Sequence, residues 1–457
     1  MTQSPAAVPP GRTWAPDPPA GRGPWDVVNI GLLVLLSLAI TTIGVVRAPS
    51  FSAFDEATHV DYVWRLANGV VPAAGSELAP EVLDEWSCRS QDNLEAALPP
   101  CGSATAASAY PGAGLNYNFP HPPLYYGITA LVVRAVELTG VDSSFVDVAR
   151  LTGAAWLAAA LVGLYLLLRT WSVPRSMALA SGALLAAVPA VAHASSIVTN
   201  DAPAALSGVL ALWVLTRIVL KEKLGWILPT VLTLAVAATK LMTAIAMLAV
   251  AAVAAALAVG ALRGGRRGQG WRLAGIAAGM VGAVGVVFLA WRLFQAGRGD
   301  PLYVSPIGGI STAPVVGAPW DEWAPTLFSA FGIAEDFYLQ MSVSGAAAVA
   351  LARLLSVVFT AAPFMGLAAF DARDLRRLPA WAALVGVLAV PLVVQLQTYV
   401  AGLEYFRYVS GRYGLSLLPI TLAALVLAIE AKRWRWAFGL FALGAIVSLL
   451  LSFVGIV

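Results

Sequence analysis

Read for apolar and polar positions, the chain is a series of long apolar runs joined by short polar connections. Eleven runs occupy residues 27–47, 146–169, 175–192, 202–220, 225–239, 241–262, 272–295, 342–370, 379–400, 411–431 and 436–456. Most come close to the ~20 residues that carry a helix across a bilayer, so the pattern predicts an all-α polytopic membrane protein with about eleven transmembrane helices. A further apolar stretch, 122–140, starts at Pro122-Pro123 and carries Arg134 and Glu137. It is short and polar for a crossing and is predicted to be re-entrant or to lie on the membrane surface.

One stretch directly after the first run has a different period. In FSAFDEATHVDYVWRLANG, residues 51–69, Val60, Val63, Trp64 and Ala67 follow helical spacing as an apolar stripe. Asp55, His59 and Tyr62 fall on a second face. The prediction is an amphipathic helix along the membrane, with an acid, an imidazole and a phenol side by side and Ser52 as a candidate N-cap. A juxtamembrane helix with ordinary solvated charges has the same pattern.

Composition agrees with the membrane reading. Hydrophobic residues make up 59% and charged residues 12%, where a soluble domain carries about 25% charged. No basic stripe or nucleic-acid-binding motif is present, so nucleic acid is excluded as a partner. Residues 1–24 are rich in Pro, Gly and Ala and are expected to be a disordered cytoplasmic tail, leaving 25–457 as a single membrane-embedded domain. The run that follows is too long for a signal peptide and is expected to stay as a span.

The placement of charge decides the topology. If 122–140 does not cross and the N-terminus is cytoplasmic, the basic connections Arg169–Arg175, Lys221–Lys223, Arg263–Arg272, Asp371–Arg377 and Lys432–Arg435 all fall inside. If it does cross, all five fall outside. The first arrangement is predicted. It gives the outer face a large first loop (48–145) holding juxtamembrane helices, the connection 193–203, and a second large loop (296–341).

The two cysteines, Cys88 and Cys101, both lie in the first outer loop. In an oxidising compartment they are expected to form a disulfide, contributing about 2–3 kcal/mol. All three histidines, His59, His121 and His193, fall at or near the same face. They lack the spacing of a zinc motif, so no metal ligand set is predicted and no cofactor is obligatory, although a divalent cation could be accommodated.

Several groups could carry chemistry there. A carboxylate at the end of a span is partly shielded from water, which suits Asp55, beside Glu56, to take a proton from a hydroxyl. The aromatics of NYNFPHPPLYY (116–126) suit the lipid-headgroup level, and aromatic faces also stack on sugars. Asn200-Asp201, before Pro203, reads as a helix cap that also puts an amide and a carboxylate near His193. Lys240 interrupts an apolar run from Leu224 to Leu262 that is too long for one span. It marks a hairpin tip with no acid nearby in sequence, placed to meet a lipid phosphate. Arg353, within an apolar span, and Arg407 and Arg412, in EYFRYVSGRYG, could join it around an anionic headgroup.

These features together resemble the GT-C superfamily of membrane glycosyltransferases. The resemblance rests on the acidic pair in DEATHVDYVWRLANGVVP, on HPPLYY at 121–126, Asn200-Asp201, the Thr-Lys of ATKLMT, and GRYGLSLLP at 411–419, whose order and spacing cover most of the chain. The sequence departs in length from the protein O-mannosyltransferase and lipid A aminoarabinose branches and is expected to lack a soluble C-terminal domain like theirs. The resemblance implies a bacterial cytoplasmic-membrane enzyme using a polyprenyl-phosphate-linked sugar at the outer face, as an inverting hexosyl- or pentosyltransferase. It implies Asp55 as general base, His59 and Asp201 positioning donor or acceptor, and Lys240 and Arg412 holding the lipid phosphate. From the residues themselves, Glu56, Tyr62, His121 and Asn200 are expected to join the substrate-binding group and Arg353 and Arg407 the phosphate-binding one. The acceptor could be glycan, lipid or protein. Two other readings stay open: a transporter or flippase for a lipid-linked sugar, and a polysaccharide ligase or polymerase with pyrophosphate-linked donors.

Overall fold

A computed structural model describes residues 23–53, 55–92, 97–103, 105–220, 224–306, 312–332 and 346–454. Almost all of the expected tail, the Lys221–Lys223 turn and parts of the 296–341 loop lie outside the described residues.

Within the described residues, each predicted run is a helix or a consecutive pair. The first is α1 (Pro24–Arg47), with Pro at its first turn, Asp26 near its N-terminus and Arg47 in its last turn, each favoured there by backbone geometry or helix dipole. The first loop holds α2 (Glu56–Ala67), α3 (Pro80–Arg89) and α4 (Leu124–Glu137). The bundle then continues through α5 (Phe145–Leu151), α6 (Gly153–Thr170), α7 (Arg175–Ala186) and α8 (Pro189–Ala194), which starts at the proline that ends α7's run. Next come α9 (Ala204–Val219), α10 (Ile227–Thr239), α11 (Ile245–Arg263) and α12 (Arg267–Gln295). The second large loop contains β1 (Thr312–Pro314) and the short α13 (Pro319–Trp323). Then follow α14 (Ala346–Ala368), α15 (Leu378–Gly402), β2 (Glu404–Phe406), α16 (Leu418–Ala431) and α17 (Arg435–Val454). β1 and β2 pair antiparallel, with Thr312 opposite Phe406.

Among the described residues, eight helical segments are long and apolar enough to cross a membrane, and α9 and α10 are shorter apolar helices. Leu32, Leu35 and Leu38 on α1, Val286, Leu289 and Leu293 on α12, and Leu440 and Leu443 on α17 are exposed. So much outward apolar surface would be costly in water and is what a lipid-facing helix requires. The protein is a multi-pass, all-α membrane protein.

Its two ends differ. At one, Asp26 takes up Arg175 at 3.1 Å and Arg169 at 3.5 Å, joining the start of α1 to the α6–α7 turn. Chain alternation brings the α11–α12, α14–α15 and α16–α17 turns, with Arg263–Arg272, Asp371–Arg377 and Lys432–Arg435, to this same end. At the other, Ser52 meets His193 at 3.1 Å and Gln295 Nε2 donates to the Pro72 carbonyl at 3.2 Å. The stretch 122–140 does not cross. Its helix α4 packs on α2, and Arg134 donates to the Ala67 carbonyl (2.9 Å) and the Asn68 side chain (2.6 Å). A second apolar core lies beneath this loop layer, built from Val60, Tyr62 and Val63 of α2, Val82 and Trp86 of α3 and Tyr125 and Tyr126 of α4. The Cys88–Cys101 disulfide, Cα–Cα 4.5 Å, closes the loop behind α3.

Two close backbone approaches bring the site segments together. A Cβ at Gly208 of α9 would stand 2.0 Å from the Ser416 carbonyl oxygen, and one at Gly153 would stand 2.0 Å from that of Ser195. Only glycine lets α9 touch the 411–417 segment and α6 touch the 193–203 connection at these distances.

Candidate active site

Asp55 is the last residue before α2 and has a left-handed backbone, φ 60°. That conformation is costly for most residues and best tolerated by Asn and Asp. The Ser52 cap does not form: the Ser52 amide donates to Glu56 Oε2 at 2.7 Å. The helix therefore starts one residue after Asp55, which sets the Asp55 carboxylate apart from Glu56. Tyr117 donates to Asp55 Oδ1 at 2.8 Å, and an Arg412 nitrogen stands 3.7 Å from Asp55 Oδ2.

Asp55 and Arg412 open on a cavity of about 210 Å³ also lined by His59, Asn118, His121, Asn200, Lys240, Gln397 and Tyr413. Six of the sequence candidates (Asp55, His59, His121, Asn200, Lys240 and Arg412) thus converge from five separate parts of the chain. The Tyr413 ring lies 5.7 Å from the Lys240 ammonium and 5.6 Å from the Arg412 guanidinium, holding the two cations near one another. Asp201 sits behind Lys240 and accepts its hydrogen bond at 2.6 Å. This corrects the picture of a lysine without an acid: Asp201, thirty-nine positions earlier, faces it from the α8–α9 connection. Burial alone would raise the Asp201 pKa, but Lys240 and Arg412 bring it below the ordinary carboxylate value.

The histidines are held neutral. Burial lowers the His59 pKa well below 6.5, with His121 and Lys240 adding to the effect. Burial and Lys240 push His121 down to about 3. His59 Nδ1 is 2.8 Å from the Tyr126 hydroxyl, to which Asn200 Nδ2 also donates at 3.1 Å. Asn200 Oδ1 and Asp201 Oδ2 are buried polar atoms without a hydrogen-bond partner among the described residues. Such atoms are costly unless a ligand or water completes them. Among the described residues, no three His, Cys, Asp or Glu side chains converge as a metal would require.

Four sequence candidates lie elsewhere. Glu56 is fully buried: its oxygens accept Arg150 Nε (2.7 Å), Arg150 Nη2 (2.8 Å), the Val198 amide (2.9 Å) and the Ser52 amide. It therefore joins four chain segments and does not reach the cavity. Tyr62 is also fully buried, stacked 3.9 Å from Tyr126, with its hydroxyl donating to the His121 carbonyl. Arg353 is on an exposed face of α14 and Arg407 is exposed beside β2; neither lines the cavity. Tyr125 and Tyr126 are core residues and not interfacial ones. Tyr117, Asn118, Gln397 and Tyr413 were not among the candidate site residues, although Tyr117 and Asn118 lie in NYNFPHPPLYY and Tyr413 directly follows Arg412.

An apolar groove of about 630 Å³ adjoins the cavity and shares Met242 and Gln397 with it. Its walls include Ile245 and Leu248 of α11, Val284, Gly285 and Phe288 of α12, and Val393, Leu396 and Val400 of α15. A polar, cationic chamber thus continues into a long greasy trough, the shape and chemistry of an amphiphile with an anionic head.

No family model matches the chain, and no curated protein matches it. Among solved structures it is similar to ArnT from Cupriavidus metallidurans bound to undecaprenyl phosphate, at 14% identity and TM-score 0.46, covering 89% of this chain and 60% of that one. The apo form of the same protein aligns at 15% identity and TM-score 0.44, covering 90% of this chain and 61% of that one. The chain spans about three fifths of the length of these neighbours.

Proposed function

We propose that this protein is a GT-C-type membrane glycosyltransferase that moves a sugar from a polyprenyl-phosphate donor to an acceptor hydroxyl at the outer face of a bacterial cytoplasmic membrane. The observation that carries the reading is the continuity of the Asp55–Lys240–Arg412 cavity with the apolar groove. The groove takes the polyprenyl chain. Lys240 and Arg412 take the phosphate through charge-assisted hydrogen bonds. Neutral His59 and His121, with Asn118 and Asn200, offer hydrogen bonds suited to uncharged sugar hydroxyls.

In the reaction the acceptor oxygen bonds to the anomeric carbon as the bond from that carbon to the phosphate oxygen breaks. Asp55 receives the acceptor's proton, and the polyprenyl phosphate leaves with its added charge stabilised by the two cations. Attack opposite the leaving phosphate inverts the anomeric centre. Phosphate is a competent leaving group by itself, so no metal is required by this scheme.

The test uses the purified full chain in proteoliposomes with radiolabelled undecaprenyl-phosphoryl hexoses and pentoses, beside their pyrophosphoryl counterparts. Release of undecaprenyl phosphate together with a glycosylated product from a monophosphate donor is the expected result. Movement of intact donor across the bilayer with no bond cleavage, or turnover of pyrophosphoryl donors alone, contradicts it.

A further inference from the structure

Asp61 is a fully buried carboxylate on α2, away from the cavity lining. Its Oδ1 accepts the Ala79 amide at 2.7 Å, and its Oδ2 accepts Arg65 Nε at 2.8 Å and Asn116 Nδ2 at 2.7 Å. Asn116 passes this order on: its Oδ1 accepts the Asn118 amide at 2.9 Å, and its Nδ2 also donates to the Thr58 carbonyl at 3.2 Å. Asn118 Nδ2 donates to Thr58 Oγ1 at 2.5 Å, and that hydroxyl donates to the Asp55 carbonyl at 2.7 Å. The stretch 116–118 is therefore fixed to α2 on both sides of its middle residue, Tyr117. A buried network with so many partners satisfied is rigid.

That middle residue donates its hydroxyl hydrogen to Asp55 Oδ1, leaving Oδ2 turned toward Arg412. A carboxylate on a left-handed residue ahead of a helix has no intrahelical contact to fix its rotamer, so the hydroxyl is what aims it.

We propose that Tyr117 is the positioning residue for Asp55, and that Asp61, through Asn116, is the foundation that presents it. This rests on the reading of Asp55 as the base. A proton acceptor must be aligned with the acceptor hydroxyl, and loss of alignment by a fraction of an ångström lowers kcat while leaving binding of the distant lipid chain unchanged.

The experiment is steady-state transfer by the full chain with the undecaprenyl-phosphoryl sugar that the wild type turns over. Tyr117→Phe keeps the ring and removes only the hydroxyl. It is expected to lower kcat about 10- to 100-fold, with donor KM within about threefold and an unchanged melting temperature. Asn116→Ala, which frees the stretch while keeping Tyr117 itself, is expected to lower kcat in the same direction. If Tyr117 only fills space, Tyr117→Phe has wild-type kcat, and the inference is overturned. A rise in KM at constant kcat overturns it too. Asp55→Asn run in parallel separates the two levels: an inactive Asp55→Asn with a fully active Tyr117→Phe refutes only the positioning role, whereas an active Asp55→Asn refutes the base itself.

Discussion

Glu56 and Arg150 form a paired-oxygen ion pair, 2.7 and 2.8 Å, with neither side chain exposed. Arg150 also donates to the carbonyls of Ala48 and Ser50, so the pair fastens the segment after α1 to the start of α2 and the last turn of α5. The two neighbouring acids thus divide their tasks, Glu56 holding the turn and Asp55 facing the cavity. Glu56→Ala strands a buried guanidinium and is expected to cost about 3–5 kcal/mol, read as a lowered unfolding midpoint in detergent. Asp55→Asn, which keeps a residue that tolerates the left-handed backbone at this partly exposed position, is expected to leave the midpoint close to wild type. Equal loss of stability at both positions would contradict this division.

Lys240 and Asp201 make a buried pair, and in the proposed reaction its lysine would also meet the donor phosphate. Lys240→Met alone leaves Asp201 without its partner and is expected to destabilise the protein by several kcal/mol. Adding Asp201→Asn removes the stranded charge and is expected to recover most of that loss. Donor KM is expected to remain raised about tenfold or more in the double variant, since a charged hydrogen bond to phosphate is gone. Recovery of KM along with stability would show that Lys240 serves packing alone.

The groove can be tested without disturbing the core, because a Cβ at Gly285 meets no atom within 4 Å. Gly285→Phe places a ring in the trough. Donor KM is expected to rise about tenfold or more for a full-length polyprenyl chain, the cost of excluding a few buried methylenes. For a donor with a short isoprenoid tail it is expected to stay unchanged. An equal effect on both donors would place the chain elsewhere.

Much of the fold was legible because the relevant signal is local. Apolar length marks the spans, and the shortness of the stretch after Pro123 together with the basic turns excludes it as a crossing. Asp55, Lys240 and Arg412 stood out as candidates for the same reason, each being a charge at the end of an apolar run. The roles of Glu56 and Tyr62 were not legible, since α2 is buried on both faces and the amphipathic pattern gave it one solvated side. The partner of Glu56, Arg150, is ninety-four positions away. Tyr117 belonged to an aromatic cluster whose composition suits a membrane interface equally well. Arg353 satisfied the rule that a charge within a span is functional, yet its helix turns it outward, and the sequence pattern of α14 has too little polarity to reveal that rotation.

The most direct measurement is sugar transfer by Asp55→Asn. The amide keeps the size of the side chain and its contact with Tyr117, but it cannot accept the acceptor's proton. With membrane level and unfolding midpoint matching wild type, transfer is expected to fall about 100- to 10,000-fold. Wild-type transfer by a normally folded Asp55→Asn protein would contradict the account.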